Sequence, residues 1–290
     1  MNKKITLSFA LLSMVFSASA QNDYTSGRDI DTAIKYGQYD VAKKELHKLL
    51  RAQPNQGKYY YSLGVMHLNE NNRDSASYYF KQGLRAHKNI NVNNLGIGKL
   101  SLLEGKDKEA KSKFHAATME LPAGDFQTFL TIADAYIYAP KPDYETALEF
   151  VGAALLVNKD TPEPHLVRGD IYFAEKQFVD ARRVYYEVSK MFPNSMLPKM
   201  KLADVFRAGN EFEEAIKMYD EIIEKDPEYI DAYKQIALTY ADYARFKNDR
   251  SLVEKGSENY FKYHGMIGES LDSDNELAAY LIKNKEYKGL

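Results

Sequence analysis

Apolar residues recur at three- and four-residue spacing along almost the whole chain after its first twenty residues. They fall in runs of roughly a dozen residues, the pattern of amphipathic helices, and the runs come in pairs. One fragment marks the second run of many pairs: an aromatic residue, two others, then Ala. It occurs as Tyr39–Ala42, Tyr144–Ala147, Phe178–Ala181 and Phe212–Ala215. Pro193 and Pro227 lie 34 residues apart, as do Ala181 and Ala215, Tyr185 and Tyr219, and Ala76 and Ala110. The pattern predicts an antiparallel helix pair repeated every 34 residues.

Counted within that period, position 8 of the first helix is small: Gly64, Gly98, Ala133, Gly169, Ala203 and Ala237. Position 20, on the second helix, is Ala42, Ala76, Ala110, Ala147, Ala181 and Ala215. Small residues let two helices approach closely, so these positions are expected to face each other, with neighbouring rings filling the gaps. Pro54, Pro122, Pro193 and Pro227 are expected to end second helices, because proline lacks the next donor. One hairpin is too small to bury its own apolar face, so stability must come from stacking neighbours.

With Gly or Ala at position 8, aromatics at 11, 17 and 24, Ala at 20 and Pro at 32, the period resembles the tetratricopeptide repeat. The fullest copy starts at Met196, with Leu202, Ala203, Phe206, Phe212, Ala215, Tyr219 and Pro227 in register. The copy at Asn91 keeps Gly98, Gly105, Ala110, Phe114, Ala117 and Pro122. Repeats start near 23, 57, 91, 126, 162, 196 and 230, and a partial one starts near 271. The resemblance implies an all-α fold over residues 21–290, a right-handed superhelical solenoid of antiparallel helix hairpins.

Four departures stand out. The first repeat has Asp29 and Ile30 where Leu and Gly belong, as expected of a degenerate cap. The fourth inserts Ala139-Pro140-Lys141-Pro142 between its helices. The seventh has a charged connection at 245–250 and Gly256 where Ala belongs. Residues 284–290 imitate the turn between two helices, after which a second helix should begin; a chain that continues naturally beyond Leu290 is expected, with a solvating terminal helix as the alternative.

The N-terminus follows a different pattern. Lys3 and Lys4 precede an apolar run from Ile5 to Phe16, and Ala18-Ser19-Ala20 fits the small-x-small rule of a cleavable secretory signal. Cleavage after Ala20 is expected, leaving Gln21 first; Gln21 is not Cys, so no lipid-anchor route opens there. No other apolar segment is long enough to span a membrane, so no stable membrane insertion is expected of the mature chain, which is placed in the periplasm or outside the cell. The signal style and Gln start are similar to secreted arrays of Bacteroidota-like Gram-negative bacteria.

Composition narrows the chemistry. Removing Lys3 and Lys4 leaves 37 basic residues against 41 acidic ones, a net charge of −4, which argues against a nucleic-acid partner. There is no cysteine, so disulfides and thiolate chemistry are excluded. The six histidines form no HxxxH or HExxH pair, and neither a phosphate-binding glycine loop nor a GxSxG elbow occurs. A non-enzymatic chain without metal or cofactor is therefore expected. Of the 23 tyrosines, eleven occupy aromatic repeat positions and read as core: Tyr39, Tyr60, Tyr136, Tyr144, Tyr172, Tyr185, Tyr219, Tyr233, Tyr240, Tyr260 and Tyr287.

In arrays of this kind ligands lie along a concave face lined by first-helix positions 2, 5, 9 and 12, which share one stripe. From those positions the candidate partner-binding residues are Tyr61, Val65, Lys99, Leu130, Asp134, Leu166, Asp170, Phe173, Met200, Asp204, Arg207 and Lys234. Position 9 is Asp134, Asp170 and Asp204 in three successive repeats. Such a row would suit an extended or helical protein segment carrying basic and apolar residues. The alternative is that these aspartates are solvated or paired with Lys201 and Arg207. The family's clamp for carboxylate chaperone tails needs Lys at 5 and Asn at 9, where the fullest repeat has Met200 and Asp204. The expected function is a scaffold or adaptor in envelope assembly, secretion or polymer handling. The alternative is a regulatory or targeting part of a longer envelope protein. Oligomeric state is left open.

Overall fold

A computed structural model describes residues 30–119 and 121–285, and the expected signal and the final turn-like residues 286–290 lie outside the described residues. Those described form fifteen α-helices. The chain divides into two compact units, Met1–Lys159 and Asp160–Leu290. In the first, hairpins are made by α1 (Ile30–Lys35) with α2 (Tyr39–Ala52), α3 (Gly57–Asn69) with α4 (Arg73–Leu84), α5 (Val92–Leu103) with α6 (Asp107–Thr118), and α7 (Gln127–Ile137) with α8 (Tyr144–Val157). In the second, α9 (Pro162–Ala174) pairs with α10 (Phe178–Met191), α11 (Leu197–Ala208) with α12 (Phe212–Lys225), and α13 (Ile230–Lys247) with α14 (Ser251–Ile267), followed by α15 (Leu271–Lys285). The first helices from α3 onward begin within one residue of the starts expected from the period, and α15 begins where the partial repeat was expected.

The turn inside each hairpin explains why the period is so regular. Gly37, Asn71, Gly105, Lys176, Asn210 and Asn248 all have positive φ, between 54° and 73°, and each sits between the two helices of its repeat. Gly and Asn tolerate this left-handed geometry, which reverses the chain within two or three residues. The fourth repeat turns instead through Ala139-Pro140-Lys141-Pro142, and Asp143 then caps α8 by accepting from the Thr146 amide at 3.0 Å and its hydroxyl at 2.7 Å.

Position 20 behaves as expected: Ala42, Ala76, Ala110, Ala147, Ala181 and Ala215 are all fully buried. Position 8 is used differently. What lies nearest its missing side chain is the ring at position 24, not the alanine at 20. A Cβ on Gly64 would come within 2.3 Å of Phe80, on Gly98 within 2.5 Å of Phe114, and on Gly169 within 2.3 Å of Tyr185. The small residue is a seat for a ring. Phe80 is seated against two repeats, because a Cβ on Gly96 of the next repeat would also lie 2.3 Å from the same ring edge.

Other expectations need adjusting. Ile30 is no misfit: it is buried with Ala33, Ile34, Leu46 and Leu63 in the first core cluster. Pro54, Pro193 and Pro227 follow their helices by two residues, whereas α6 ends at Thr118, four residues before Pro122. Half of the charged connection at 245–250 is helical, since α13 runs on to Lys247 and Asn248 closes it in the left-handed region. Gly256 does occupy the small seat of its repeat: a Cβ there would meet the Tyr280 hydroxyl at 2.7 Å and the Ala237 carbonyl at 3.1 Å. Tyr280 of α15 fills that space, stacking on Tyr260 at 4.1 Å and donating to the Ala237 carbonyl.

Among the aromatic-position tyrosines, Tyr39, Tyr136, Tyr185, Tyr219 and Tyr260 are buried. Tyr60, Tyr144, Tyr172, Tyr233 and Tyr240 are half-buried. Tyr287 lies outside the described residues. No described helix is long and apolar enough to cross a membrane.

Candidate functional site

A first helix packs against its own second helix and against the next repeat, and these two contacts narrow the stripe it leaves open. Position 5 is core in nearly every repeat: Tyr61, Leu95, Leu130, Leu166 and Met200 are all buried. Position 12 is buried at Leu68, Leu102, Ile137 and Ala241. The open stripe is carried by positions 2 and 9, two helical turns apart, which are half-buried throughout except at Val65. Of the candidate binding residues, therefore, Tyr61, Val65, Leu130, Leu166 and Met200 support the face from beneath. Lys99, Asp134, Phe173, Asp170, Asp204, Arg207 and Lys234 keep part of their surface open. Phe173 is turned toward Phe178, with ring centroids 5.5 Å apart, and packs on the Leu166 cluster.

In the first unit, Tyr61 is buried beside Phe80, and both burial and the nearby charge of Asp134 push its phenol upward. Lys99 lies half-buried on α5.

In the second unit the aspartates are held by the chain itself. Tyr185 donates to Asp170 Oδ1 at 2.6 Å, and Tyr219 donates to Asp204 Oδ1 at the same distance. Each bond joins position 24 of a second helix to position 9 of its partner, fifteen residues earlier. Lys201 of α11 reaches across to Asp170 of α9 at 2.7 Å, with side chains only 17% and 16% exposed, so this is a protected ion pair joining successive repeats. Asp204 sits among Asp170, Lys201 and Arg207. Burial pushes its carboxyl up, and the Arg207 charge, the Tyr219 hydroxyl and Lys201 only partly offset that. Tyr219, buried against Asp204, is held well above its ordinary range.

Arg207 bridges to α13, donating to Gln235 Oε1 at 2.8 Å and pairing with Asp242 at 3.3 Å. Lys234, a rare open residue at position 5, donates to Glu276 at 2.7 Å and to the Tyr263 hydroxyl at 3.2 Å, with its ammonium 4.9 Å from the Tyr263 ring centre. The aspartate row is thus part of an alternating network in which Asp170, Asp204, Arg207 and Lys234 each have an intrachain partner. The alternative reading of the aspartate row, pairing with Lys201 and Arg207, is the one the structure shows at Asp170, and both cations act on Asp204; spacing along the first helices did not point to Tyr185, Tyr219, Gln235, Asp242, Tyr263 or Glu276. One signal was available: Asp and Tyr fifteen residues apart in two successive repeats, Asp170 with Tyr185 and Asp204 with Tyr219.

The histidines take packing or surface roles. His67 stacks on Tyr79 at 5.2 Å, His165 lies against Phe192 at 5.5 Å, and His264 bonds to Asp274 at 2.9 Å. Among the described residues no three His, Asp or Glu side chains are grouped to hold a metal ion.

With helix pairs, left-handed turns and ring seats recurring in one register, comparison with known proteins is direct. Two family models described as tetratricopeptide repeat match the chain, over residues 30–89 and 172–238. The chain carries tetratricopeptide repeats. Among solved structures it is similar to a tetratricopeptide repeat protein from Parabacteroides merdae, with 13% identity over 87% of this chain and 96% of that one and a TM-score of 0.51. It also matches the C-terminal part of a repeat-containing protein from Cytophaga hutchinsonii, at 17% identity, 86% and 98% coverage and a TM-score of 0.40. The match to the Cut9–Hcn1 hetero-tetramer of APC/C has 13% identity and a TM-score of 0.46; it covers 87% of this chain and about half, 48%, of that one. At these identities the likeness concerns the fold. The chain is an all-α tetratricopeptide array. Such arrays are generally non-catalytic scaffolds that bind protein or peptide partners.

Proposed function

We propose that this tetratricopeptide chain is a non-catalytic scaffold acting outside the cytoplasm, where it holds a protein or peptide segment against the first-helix face of its repeats. The observation that carries the reading is the preformed polar network on α9, α11 and α13. Its charged ends, such as Arg207 at 27% and Lys234 at 26% side-chain exposure, are fixed by intrachain bonds yet still reach solvent. A face already ordered in this way loses little side-chain freedom on binding, which favours affinity and fixes register. The network balances Asp170, Asp204, Asp242 and Glu276 against Lys201, Arg207, Lys234 and Arg245, but its carboxylates Asp242 and Glu276 are more exposed than Arg207 and Lys234, which suits a segment with basic and apolar residues. The signal-like N-terminus supports a place in envelope assembly, secretion or polymer handling.

Two measurements test this reading. Mass spectrometry of the exported chain should find Gln21 as its first residue; an intact Met1 terminus in the cytoplasmic fraction would remove the extracytoplasmic part. A cross-linking pull-down from the native envelope should recover a partner with the wild-type chain and lose it with Asp242→Lys/Glu276→Lys, which reverses the exposed carboxylates of the face. Equal recovery by that variant, shown to be folded, would refute binding on this face.

A further inference from the structure

A second surface, on the outer side of the repeats, differs in electrostatic character from the network above: two of its acids are left without partners among the described residues. Between α12 and α14, floored by α13, runs an open groove of about 620 Å³. Ile216, Tyr240, Tyr243 and Leu252 give it an apolar lining. Along the α12 wall stand Asp220 and Glu224, one turn apart on the same helix face. Both are exposed, and neither hydrogen-bonds or ion-pairs with any described residue. The other two acids of that wall are occupied: Glu213 accepts from the Tyr243 hydroxyl, and Glu221 pairs with Lys199 at 2.6 Å. Lys262 acts on Asp220 only from beyond ion-pair distance, while partial burial and Glu224 hold the Asp220 carboxyl above its ordinary value. Lys217 and Lys255 also line the groove, and neither closes an ion pair with the acids.

We infer that this groove receives a lysine- or arginine-bearing segment of a protein partner, with the cation between Asp220 and Glu224 and the aliphatic stem along Ile216, Tyr240 and Leu252. Two like charges on successive turns of one helix repel each other, and a cation placed between them relieves that repulsion. A long basic side chain suits the rest of the groove because it couples a charged head to an apolar stem, and an aromatic floor attracts cations further. An acidic segment would meet the same two carboxylates and be rejected. This surface is separate from the first-helix face and does not depend on it.

The test uses the whole mature chain with labelled Ile and Leu methyl groups, titrated with two probes, acetyl-Leu-Arg-Leu-amide and acetyl-Leu-Glu-Leu-amide. The arginine peptide should shift the Ile216 and Leu252 methyls saturably, the glutamate peptide should not, and Asp220→Asn/Glu224→Gln should weaken the arginine peptide about fivefold, the expected effect of losing an exposed charge pair. Both substitutions are on exposed side chains, and unchanged methyl spectra of the free variant confirm its fold. The Asp242→Lys/Glu276→Lys chain should respond to the peptide as the wild type does, which separates this site from the first-helix face. Equal shifts with both peptides, no shift with either, or undiminished binding by the Asn/Gln variant would overturn the proposal.

Discussion

Adding one methyl group at Gly64 should cost stability, although the same substitution ordinarily strengthens a helix. Alanine is favoured over glycine inside a helix by about 1 kcal/mol. At Gly64 the new Cβ would lie 2.3 Å from the nearest carbon of Phe80. Ordinary carbon contacts need about 3.5 Å, so the ring must retreat by about 1 Å. It has little room to move: Phe80 is fully buried, and Gly96 of the next repeat approaches the same ring edge equally closely. Overpacking of this kind costs about 1–3 kcal/mol, and a fully buried ring already in contact with two repeats belongs at the upper end. After the propensity gain, Gly64→Ala is expected to destabilise by about 2 kcal/mol. Gly152 provides the internal control. It lies within α8 of the same compact unit, is exposed, and has no atom within 4 Å of the place its methyl group would take. Gly152→Ala should therefore stabilise by close to about 1 kcal/mol. Urea unfolding of both variants measures the difference, and Gly64→Ala/Phe80→Leu should recover much of the loss because the smaller side chain frees the seat. Equal stabilisation by both alanines would refute the ring-seat account of position 8.

The polar network and the alanine seat yield three more expectations. Asp204 is held above its ordinary value, so protonation favours the folded state; that contribution is fully present below the unfolded value of about 3.9 and is lost as pH rises through the native value. Asp204→Asn, which keeps an acceptor for Tyr219, should thus be more stable than wild type at pH 7, with the advantage shrinking in melts taken below about pH 4; a constant difference across that range would count against it. Asp170→Ala leaves both the Tyr185 hydroxyl and the Lys201 ammonium without their acceptor, and denaturant melts should show a loss of about 1–3 kcal/mol. Ala215→Leu puts a larger side chain at a fully buried seat and should cost about 1–3 kcal/mol in the same assay, with wild-type stability arguing against the repeat register.

The repeat register was legible because it is written in steric constraints. A left-handed turn recurs at Gly37, Asn71, Gly105 and Asn210, a buried alanine on the second helices from α2 to α12, and a ring seat at Gly64, Gly98 and Gly169. Each constraint admits few residue types, so each leaves a periodic mark. The role of Gly96 left no such mark, since its repeat alone places a glycine there, and its purpose appears only when Phe80 of the preceding repeat is seen beside it. The inner face was legible in part. Positions 2, 5, 9 and 12 do share a stripe, but packing on both flanks of the first helix buries Tyr61, Leu130, Leu166 and Met200 at its edge. The sequence offers Lys201 as a partner for the aspartates, but Tyr185 and Tyr219 come from second helices, where spacing along a first helix gives no guidance. Lys201, one residue off the stripe, supplies the inter-repeat pair.

Site-specific photo-cross-linking tests the first-helix binding face most directly. A benzoylphenylalanine at Leu238, a half-buried position-9 residue of α13 outside the polar network, would report on that face, and one at exposed Arg183 of α10 would report on the outer surface away from the α12–α14 groove. In the native envelope the Leu238 probe should give a discrete adduct that Asp242→Lys/Glu276→Lys abolishes, while the Arg183 probe gives none. An adduct from Arg183 with none from Leu238 would contradict the account.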